Sequence, residues 1–419
     1  MSSNEWREVK LGETATIKGG KRLPKGKSLS KLKNSHPYIR VRDIGNSRLL
    51  NINDNFEYVD DDTQKTISRY IVNTNDILIS IVGTIGLIAK VGETLNNANL
   101  TENCAKIINL KEVDSDYLYY FLISEKGQAE IKKATVGAVQ AKLPLKNIQS
   151  IKMSLPALLE QRTIAATLSC LDDMIELNNR TNKILEEMAQ AIFKRWFVDF
   201  EFPNEDGEPY KSSGGEMIDS ELGEIPKGWR VVELGDVTTN IRERTKSNDY
   251  KVLSTVNTGD LKLSEEYFTK QVFSKDLSKY IIVRIKEFAY NPARVNIGSI
   301  GMNEYDFDGC VSPVYVVFKS EEDFHWFFKM FIKTKNFKSE VVKRASGSVR
   351  QSMNYSDFAL IKIVYPPKGV IVKFNQFFET CYLAQREFTK EMEILSDIRD
   401  TLLPKLMSGE IRVPMEEVV

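Results

Sequence analysis

The pattern of apolar and polar positions divides each half of the chain into short strands followed by one long helix. From residue 164 onward, mostly apolar residues recur in alternating steps of four and three, which is the repeat of a coiled-coil seam. The seam comprises Ile164, Leu168, Leu171, Ile175, Asn178, Asn182, Leu185, Ala189, Ile192 and Trp196. We therefore predict a long helix over residues 157–200. Its polar members Asn178 and Asn182 lie mid-seam, where a buried asparagine fixes register at some cost in stability.

The same seam returns 210 residues later (374 − 164), which is thirty heptads, so a second helix has the same phase. Its positions are Phe374, Phe378, Cys381, Gln385, Phe388, Met392, Leu395, Arg399, Leu402 and Leu406. We predict this helix over residues 367–409 and expect antiparallel pairing centred near residues 180 and 390. The alternative is two separate amphipathic helices, each packed on its own domain. About 40 helical residues would extend about 60 Å, longer than a small domain, which favours pairing.

Short motifs repeat as well, so the 419-residue chain is a tandem duplication. The motif Trp-Arg-x-Val-x-Leu-Gly at residues 6–12 returns at 229–235. Gly-Ala-Val-Gln at 137–140 returns as Gly-Ser-Val-Arg at 347–350. This period far exceeds the 20–50 residues of stacking repeats, so each copy must be a domain. Two similar domains suit a target read as two half-sites, and duplex DNA is the commonest target of that kind.

The segments before each long helix predict a compact α/β domain. In the first copy, strand patterns cover residues 38–41, 76–80 and 104–110, and an amphipathic helix is predicted over 117–123. The predicted fold class is mixed α/β: two similar α/β domains separated by two long helices that form an antiparallel coiled coil, with a pseudo-twofold internal repeat. The predicted boundaries are 1–156 for the first domain, 157–200 for its helix, 201–224 for an exposed linker, 225–366 for the second domain, 367–409 for its helix and 410–419 for a C-terminal tail.

The net charge is zero, but the charges are unevenly distributed along the chain. Residues 1–50 contain twelve Lys and Arg residues against four carboxylates, and residues 51–120 carry an acidic excess. A second basic run comprises Lys329, Lys333, Lys335, Lys338, Lys343, Arg344 and Arg350. A single run is more simply a solvated surface. A run in both copies favours a phosphate-binding face on each.

Candidate DNA contacts follow from this distribution, with Lys and Arg expected on phosphates and Arg, Lys, Asn and Gln at base edges. In the first copy they are Lys18, Lys21, Arg22, Lys25, Lys27, Arg40, Arg42, Thr84 and Gln140. In the second copy they are Arg242, Arg244, Lys246, Arg294, Asn296, Arg350 and Gln351. For each single residue, an ordinary solvated or turn role is an equal alternative, so the loops as groups are the stronger prediction.

Catalytic motifs are missing from the sequence. The motif Asn-Pro-Ala-Arg at 291–294 lacks the second proline and the aromatic residue of adenine methyltransferase sites. No glycine-rich turn between a strand and a helix offers a nucleotide site. His36 and His325 are the only histidines, and the isolated Cys104, Cys170, Cys310 and Cys381 favour a reduced cytosolic compartment over a zinc site. The longest apolar stretch, residues 77–89, is too short for a membrane span. We expect no catalytic residue and no metal site.

Five motifs together resemble the specificity (S) subunits of Type I restriction-modification systems. They are the Trp-Arg-x-Val-x-Leu-Gly repeat, Leu-Gly-Glu-Ile-Pro-Lys-Gly-Trp at 222–229, Leu-Pro-Ala-Leu-Leu-Glu-Gln-Arg-Thr-Ile at 155–164, residues 291–299, and Leu-Leu-Pro-Lys-Leu-Met-Ser-Gly at 402–409. The second copy departs at the start of its helix, where Pro-Pro-Lys-Gly-Val at 366–370 lacks the Glu-Gln of the first copy.

The resemblance implies a non-catalytic recognition subunit with two target recognition domains. Such a subunit directs adenine methylation or restriction at a bipartite, asymmetric DNA site. The implied partners are double-stranded DNA, two methyltransferase (M) subunits and restriction/translocase (R) subunits, with no membrane and a cytoplasmic location. S-adenosylmethionine, ATP and Mg would bind to the partner subunits, and no cofactor would bind to this chain. The alternatives are a stand-alone bipartite DNA-binding regulator and a fused methyltransferase-recognition enzyme.

Overall fold

The computed structural model describes residues 6–45, 47–137, 139–247, 249–344 and 352–413. It contains two compact units, one formed by residues 1–182 with 387–419 and the other by residues 183–386. Each unit contains one α/β domain, here called a head, together with a part of each long helix.

The first copy supplies ten strands and six α-helices. The strands are β1 (Arg7–Lys10), β2 (Thr16–Gly19), β3 (Pro37–Ile39), β4 (Leu49–Leu50), β5 (Glu57–Tyr58), β6 (Ile77–Ser80), β7 (Ile88–Val91), β8 (Asn99–Leu100), β9 (Cys104–Ile108) and β10 (Lys152–Leu155). The helices are α1 (Leu11–Thr14), α2 (Asp61–Ile67), α3 (Ser115–Ile123), α4 (Glu125–Ala134), α5 (Leu145–Gln149) and α6 (Leu158–Phe197). The sheets have the orders β2-β9-β6-β7-β4, β5-β3-β8 and β1-β10.

Helix α3 lies in the core of the first head, where the sequence predicted an amphipathic helix. Asp114 caps it by accepting hydrogen bonds from the backbone N–H groups of Asp116 and Tyr117. Residues 117–122 are all buried, among apolar residues of the sheet and of α6. The prediction of an amphipathic helix was therefore wrong, because six consecutive side chains of the helix are covered and none of them forms a polar face.

The second copy supplies twelve strands and six α-helices. The strands are β11 (Met217–Ile218), β12 (Ile225–Pro226), β13 (Arg230–Glu233), β14 (Thr238–Ile241), β15 (Lys251–Thr255), β16 (Leu261–Leu263), β17 (Ile281–Val283), β18 (Phe288–Tyr290), β19 (Ile300–Met302), β20 (Gly309–Val311), β21 (Val316–Ser320) and β22 (Lys362–Tyr365). The helices are α7 (Leu234–Val237), α8 (Ser264–Tyr267), α9 (His325–Phe331), α10 (Lys335–Arg344), α11 (Tyr355–Ala359) and α12 (Lys368–Ser408). The sheets have the orders β14-β21-β18-β19, β16-β15-β20-β17, β13-β22 and β11-β12.

The repeated sequence motif forms the same frame in both heads. Its strand pairs antiparallel with the strand that precedes the long helix, with Arg7 opposite Leu155 in β1-β10. In the second head, Arg230 is opposite Tyr365 in β13-β22. Helix α12 begins at Lys368, which is 210 residues after Leu158 at the start of α6 (368 − 158). The missing Glu-Gln pair therefore does not move the start of the second helix.

Within the first unit, residues 158–182 of α6 pair antiparallel with residues 387–408 of α12. Asp172 contacts Arg399, whereas Asn178, further along α6, contacts Glu391, which precedes Arg399 in α12. The amide of Asn178 is buried and donates to the Glu391 carboxylate at 3.0 Å. The seam asparagine thus has a specific partner, so a shift in register would leave its buried amide unsatisfied.

Within the second unit, the remaining parts of the helices pair through aromatic rings. The ring centroid of Phe374 lies 6.0 Å from that of Phe193 and 5.0 Å from that of Phe197. In both units, the seam positions point inward. Fully buried are Ile164, Leu168, Asn178, Ala189, Phe374, Phe378, Cys381, Leu395 and Leu406, and the other seam positions are half-buried. The antiparallel pairing is confirmed within each unit, and the alternative of separately packed helices is wrong.

The segment predicted as an exposed linker, residues 201–224, is partly folded onto the second head. The Phe202 ring stacks on Tyr210 and on Trp229, with centroid distances of 4.6 and 5.1 Å. Strands β11 and β12 form a short antiparallel pair beyond this stack. The prediction of an exposed linker fits residues 205–208 and 211–214, which are exposed, whereas Phe202 is buried because packing its ring against Trp229 stabilises an ordered segment.

Candidate nucleic-acid interface

Two loops that are far apart in sequence meet on the first head. The β6–β7 turn has left-handed glycines at Gly83 and Gly86, with φ of 82° and 86°. The turn begins at Ile81, whose carbonyl accepts a hydrogen bond from the Leu143 N–H at 3.0 Å. The two predicted sites around Thr84 and Gln140 therefore belong to one surface.

The second of these loops, here called the finger, comprises residues 136–137 and 139–142. Val136 and Lys142 exchange two backbone hydrogen bonds, both 2.8 Å long. Gly137 has a φ of 96°, and a Cβ at this position would lie 2.6 Å from the Gln140 carbonyl oxygen. Only glycine fits there without strain, so the repeated Gly-x-Val motif determines the shape of the finger.

Sequence reasoning did not select three lysines of the finger and of the helices that adjoin it. Lys132, Lys142 and Lys146 are exposed, and none has a carboxylate partner among the described residues. They come from the end of α4, from the finger and from α5, so they form no run in the sequence.

The second head places its corresponding loops in the same way. The Met353 N–H donates to the Pro292 carbonyl at 3.1 Å, which joins the turn after β18 to the segment before α11. Arg294 is exposed and Asn296 half-buried on this turn, which ends at Gly298 with a φ of 90°. The predicted contacts Arg350 and Gln351 lie outside the described residues.

The motif at 291–294, which shares its first two residues with methyltransferase sites, forms an ordinary turn. The side-chain oxygen of Asn291 accepts a hydrogen bond from the Ala293 N–H at 3.1 Å. The Arg294 N–H donates to the Asn291 carbonyl at 3.0 Å. The asparagine is thus used by its own backbone, as is typical of turn asparagines.

The basic loop of residues 18–27 is less cationic than its sequence indicates. The Arg22 guanidinium pairs with Glu102 at 2.7 Å, and the Lys27 ammonium pairs with Asp60 at 2.8 Å. The Lys27 hydrogen bond holds the pKa of Asp60 well below its usual range, and the Glu102 hydrogen bond raises the pKa of Arg22. Lys18 and Lys25 have no carboxylate partner among the described residues. Lys21 lies over the Tyr70 ring, 5.6 Å from its centroid.

Arg40 and Arg42 sit beside carboxylates of their own head. The Arg40 side chain is only 15% exposed and contacts both Asp43 and Glu57. Arg42 donates to Glu57 at 2.9 Å and is itself exposed. This geometry favours a structural role for Arg40, while its contact with DNA stays a prediction.

The corresponding segment of the second head is more open. Arg242, Arg244 and Lys246 are exposed, and no ion pair of the described residues involves them. The carboxylate between them, Glu243, pairs instead with Arg284 at 2.6 Å. These three cations are therefore available to phosphates, and their contact with DNA stays a prediction.

The described residues offer no alternative chemistry in either head. They include no group of three or more His, Cys, Asp or Glu side chains arranged to hold a metal ion. Burial raises the pKa of the Cys104 and Cys310 thiols to about 12, so neither is a reactive thiolate. Among the described helices, none combines the length and hydropathy that a membrane crossing requires.

The chain has two similar heads, and in each head two loops that are distant in sequence are joined by a hydrogen bond. Each head is attached to part of a helix pair. This arrangement defines a class of two-headed recognition proteins. Residues 3–187 match the family described as Type I restriction modification DNA specificity domain. Over 98% of its length, the chain is 26% identical to the Type I restriction enzyme MjaIX specificity subunit of Methanocaldococcus jannaschii, covering 94% of that protein. It is 23% identical to the HindI specificity subunit of Haemophilus influenzae, over 82% of this chain and 84% of that protein.

The fold is also that of a solved specificity subunit. The crystal structure of the Type I restriction-modification S subunit from M. genitalium superposes with a TM-score of 0.59 and 15% identity, covering 97% of both chains. The resemblance found in the sequence is therefore confirmed: residues 3–187 match the DNA specificity domain model, and the whole chain is similar to Type I specificity subunits. These are recognition subunits, not catalytic ones.

Proposed function

We propose that this chain is the DNA sequence-specificity subunit of a Type I restriction-modification complex. It reads a bipartite, asymmetric site and directs adenine methylation or restriction by its partners. The observation that carries the proposal is the recurrence, in both heads, of a glycine-containing turn hydrogen-bonded to the segment that precedes α5 in the first head and α11 in the second. Each of these turns lies beside exposed Lys or Arg side chains, which suits phosphate contact at both half-sites.

The two half-sites should differ because the loops of the two heads differ at their polar positions. The turn of the first head carries Thr84, whereas that of the second carries Arg294 and Asn296. The finger carries Gln140, and the equivalent position in the second copy is Arg350. Glutamine pairs best with adenine and arginine with guanine in the major groove, so the two sets of loops select different bases.

The helix pair offers a surface for the methyltransferase subunits. Six exposed apolar residues each lie one position before a seam residue: Met174, Leu177, Ile184, Met188, Ile394 and Ile398. Met174, Leu177, Ile394 and Ile398 belong to the first unit, and Ile184 and Met188 to the second. One apolar strip in each unit suits two copies of the same partner. Exposed apolar residues in such a row are typical of interaction sites.

The partners would supply the chemistry of the complex. S-adenosylmethionine would bind to the two methyltransferase subunits, and ATP and Mg to the restriction subunits. The chain itself would contribute only the choice of sequence, in the cytoplasm where its DNA target lies. Its four cysteines are unpaired, which agrees with a reducing compartment.

Reconstitution with methyltransferase subunits tests this proposal. We expect the chain alone to transfer no methyl group, and the complex to methylate adenine in duplexes that carry both half-sites. Methyl transfer by the chain alone would contradict the proposal. A chain that binds its site without retaining methyltransferase subunits would instead be the stand-alone regulator.

The apolar strip gives a sharper version of this experiment. Replacing Met174 and Leu177 with Glu should reduce the number of bound methyltransferase subunits from two to one, because one strip becomes charged. The matched control is Leu383→Glu, since Leu383 is 58% exposed but lies two positions after a seam residue, away from the strip. Equal loss in both variants would show that the strip is not the contact.

A further inference from the structure

The tip of the finger presents an apolar side chain to solvent. Val139 is 98% exposed, more than any other large apolar residue among the described part of the chain. A single exposed valine is common on protein surfaces and needs no explanation by itself. Three further observations give this one a role.

First, the finger is held rigidly at its base. The Val136–Lys142 hydrogen bonds close the hairpin, and Leu143 ties it to the β6–β7 turn. The side-chain amide of Asn147 donates to the Ala134 carbonyl at 2.7 Å, which fixes the segment that enters the finger. A side chain on such a support meets a partner without the entropic cost of ordering a loop.

Second, the two copies agree at this valine and differ immediately after it. Residues 137–140 are Gly-Ala-Val-Gln, and residues 347–350 are Gly-Ser-Val-Arg. A residue shared by two heads that read different half-sites cannot distinguish between them. The valine therefore serves a task common to both heads, and the neighbouring Gln or Arg position serves selection.

Third, exposed cations without a carboxylate partner among the described residues lie in the finger and on the helices that adjoin it. Lys142 is in the finger, and Lys132 and Lys146 lie on α4 and α5. An exposed apolar residue in a cationic region matches the edge of a DNA groove, where sugars and base faces lie between two rows of phosphates.

We propose that Val139 makes an apolar contact with the sugars or base faces at the groove edge, independent of sequence, and that it anchors the finger while Gln140 reads. This inference rests on the proposed function, since it requires a duplex DNA target. In this proposal, Val139 contributes to the affinity of the finger for DNA, and the adjacent Gln140 determines the sequence selectivity of the finger.

The test uses the full chain in complex with its methyltransferase subunits and two duplexes, one with the mapped target and one of unrelated sequence. Val139→Ala should weaken binding to both duplexes by roughly ten-fold, because two methyl groups lose their contact. The methylated sequence should keep every letter, and the thermal midpoint should not move, since the side chain is exposed. Leu32→Ala is the control: Leu32 is also exposed, at 81%, but lies away from the finger, and its variant should bind normally.

Unchanged affinity of the Val139→Ala complex would overturn the inference, and so would altered letters in the methylated sequence. Loss of affinity for the target duplex alone would also overturn it, because the contact would then depend on sequence. Failure of the unmodified complex to bind either duplex would reject the proposed function instead, so the two failures are distinguishable.

Discussion

The two units fasten their heads to their helices with different chemistry. In the first unit, ionic contacts join the head to the helices beside their apolar packing: Arg48 bridges Asp116 of the head and Asp173 of α6, and Asp172 accepts from Tyr120 and from Arg399 of α12. Arg48 is only 11% exposed, so its charge is held by these carboxylates out of contact with most solvent. The hydrogen bonds of these charged groups require a specific placement of the head on the helices, and few other placements would satisfy them.

In the second unit the junction is aromatic. Trp326 of the head packs against Phe378 and Tyr382 of α12, with centroid distances of 4.9 and 4.6 Å. The largely buried Lys329 contacts Glu304 and lies 4.8 Å from the centroid of Tyr382. Burial lowers the pKa of this lysine. The two copies therefore attach their heads to the long helices with different contacts, ion pairs in the first copy and aromatic rings in the second.

The largest predicted effect is the loss of an aromatic ring from the second junction. Phe374 is fully buried against the rings of Phe193, Trp196 and Phe197 in α6, so Phe374→Ala should destabilise the second unit by about 3–5 kcal/mol. Denaturant unfolding measures this change. Val372→Ala, on the exposed side of the same helix, is the matched control and should change the free energy of unfolding by less than about 0.5 kcal/mol. Similar effects of both changes would refute the role of ring packing.

Removing a charge from the first junction should lower the free energy of unfolding by a smaller amount. Asp172→Ala removes the acceptor of the Tyr120 hydroxyl and one of the two acceptors of the Arg399 guanidinium, which also pairs with Asp400, and this should cost about 2 kcal/mol. A double-mutant cycle with Arg399→Ala measures the coupling, which should exceed about 0.5 kcal/mol. Additive effects of the two substitutions would mean that the ion pair does not fasten the helices.

The second unit should also lose stability in mild acid because of His325. Burial lowers the pKa of this imidazole from 6.5 to about 4, and its Nε2 has no hydrogen-bond partner. The unfolded chain therefore takes up a proton before the folded one does, so the stabilising contribution is complete above pH 6.5 and declines as the pH falls towards 4. His325→Gln should flatten this dependence, whereas His36→Gln should leave it intact. An unchanged pH profile in His325→Gln would contradict the assignment.

A single substitution in the finger tests whether the two heads select different bases, and it should have the smallest effect on the structure. Gln140→Arg gives the first head the residue found at the equivalent position of the second. Since arginine prefers guanine where glutamine prefers adenine, one position of one half-site should change from A to G. Methylation mapping detects this, and the unaltered half-site is an internal control. A change in both half-sites, or in neither, would contradict base reading by Gln140.

The sequence predicted the features that depend on local period and repetition. Heptad spacing located the seam, and Asn178 indeed lies within it with a polar partner. The partners of the basic loop were not predictable, because Glu102 is eighty residues from Arg22 and meets it only through the fold. The aromatic stack of Phe202 escaped notice because the polar residues around it dominate the composition of the segment. Loop contacts of the candidate interface likewise depend on hydrogen bonds between distant segments, such as Leu143 with Ile81.

The central claim is that each head reads its own half of one DNA site. It is tested most directly by expressing the chain with its methyltransferase subunits in a host that lacks them, and by mapping the newly methylated adenines. We predict two different short half-sites separated by a fixed number of unread base pairs. A single uninterrupted recognition sequence, or methylation that does not depend on the chain, would contradict the account.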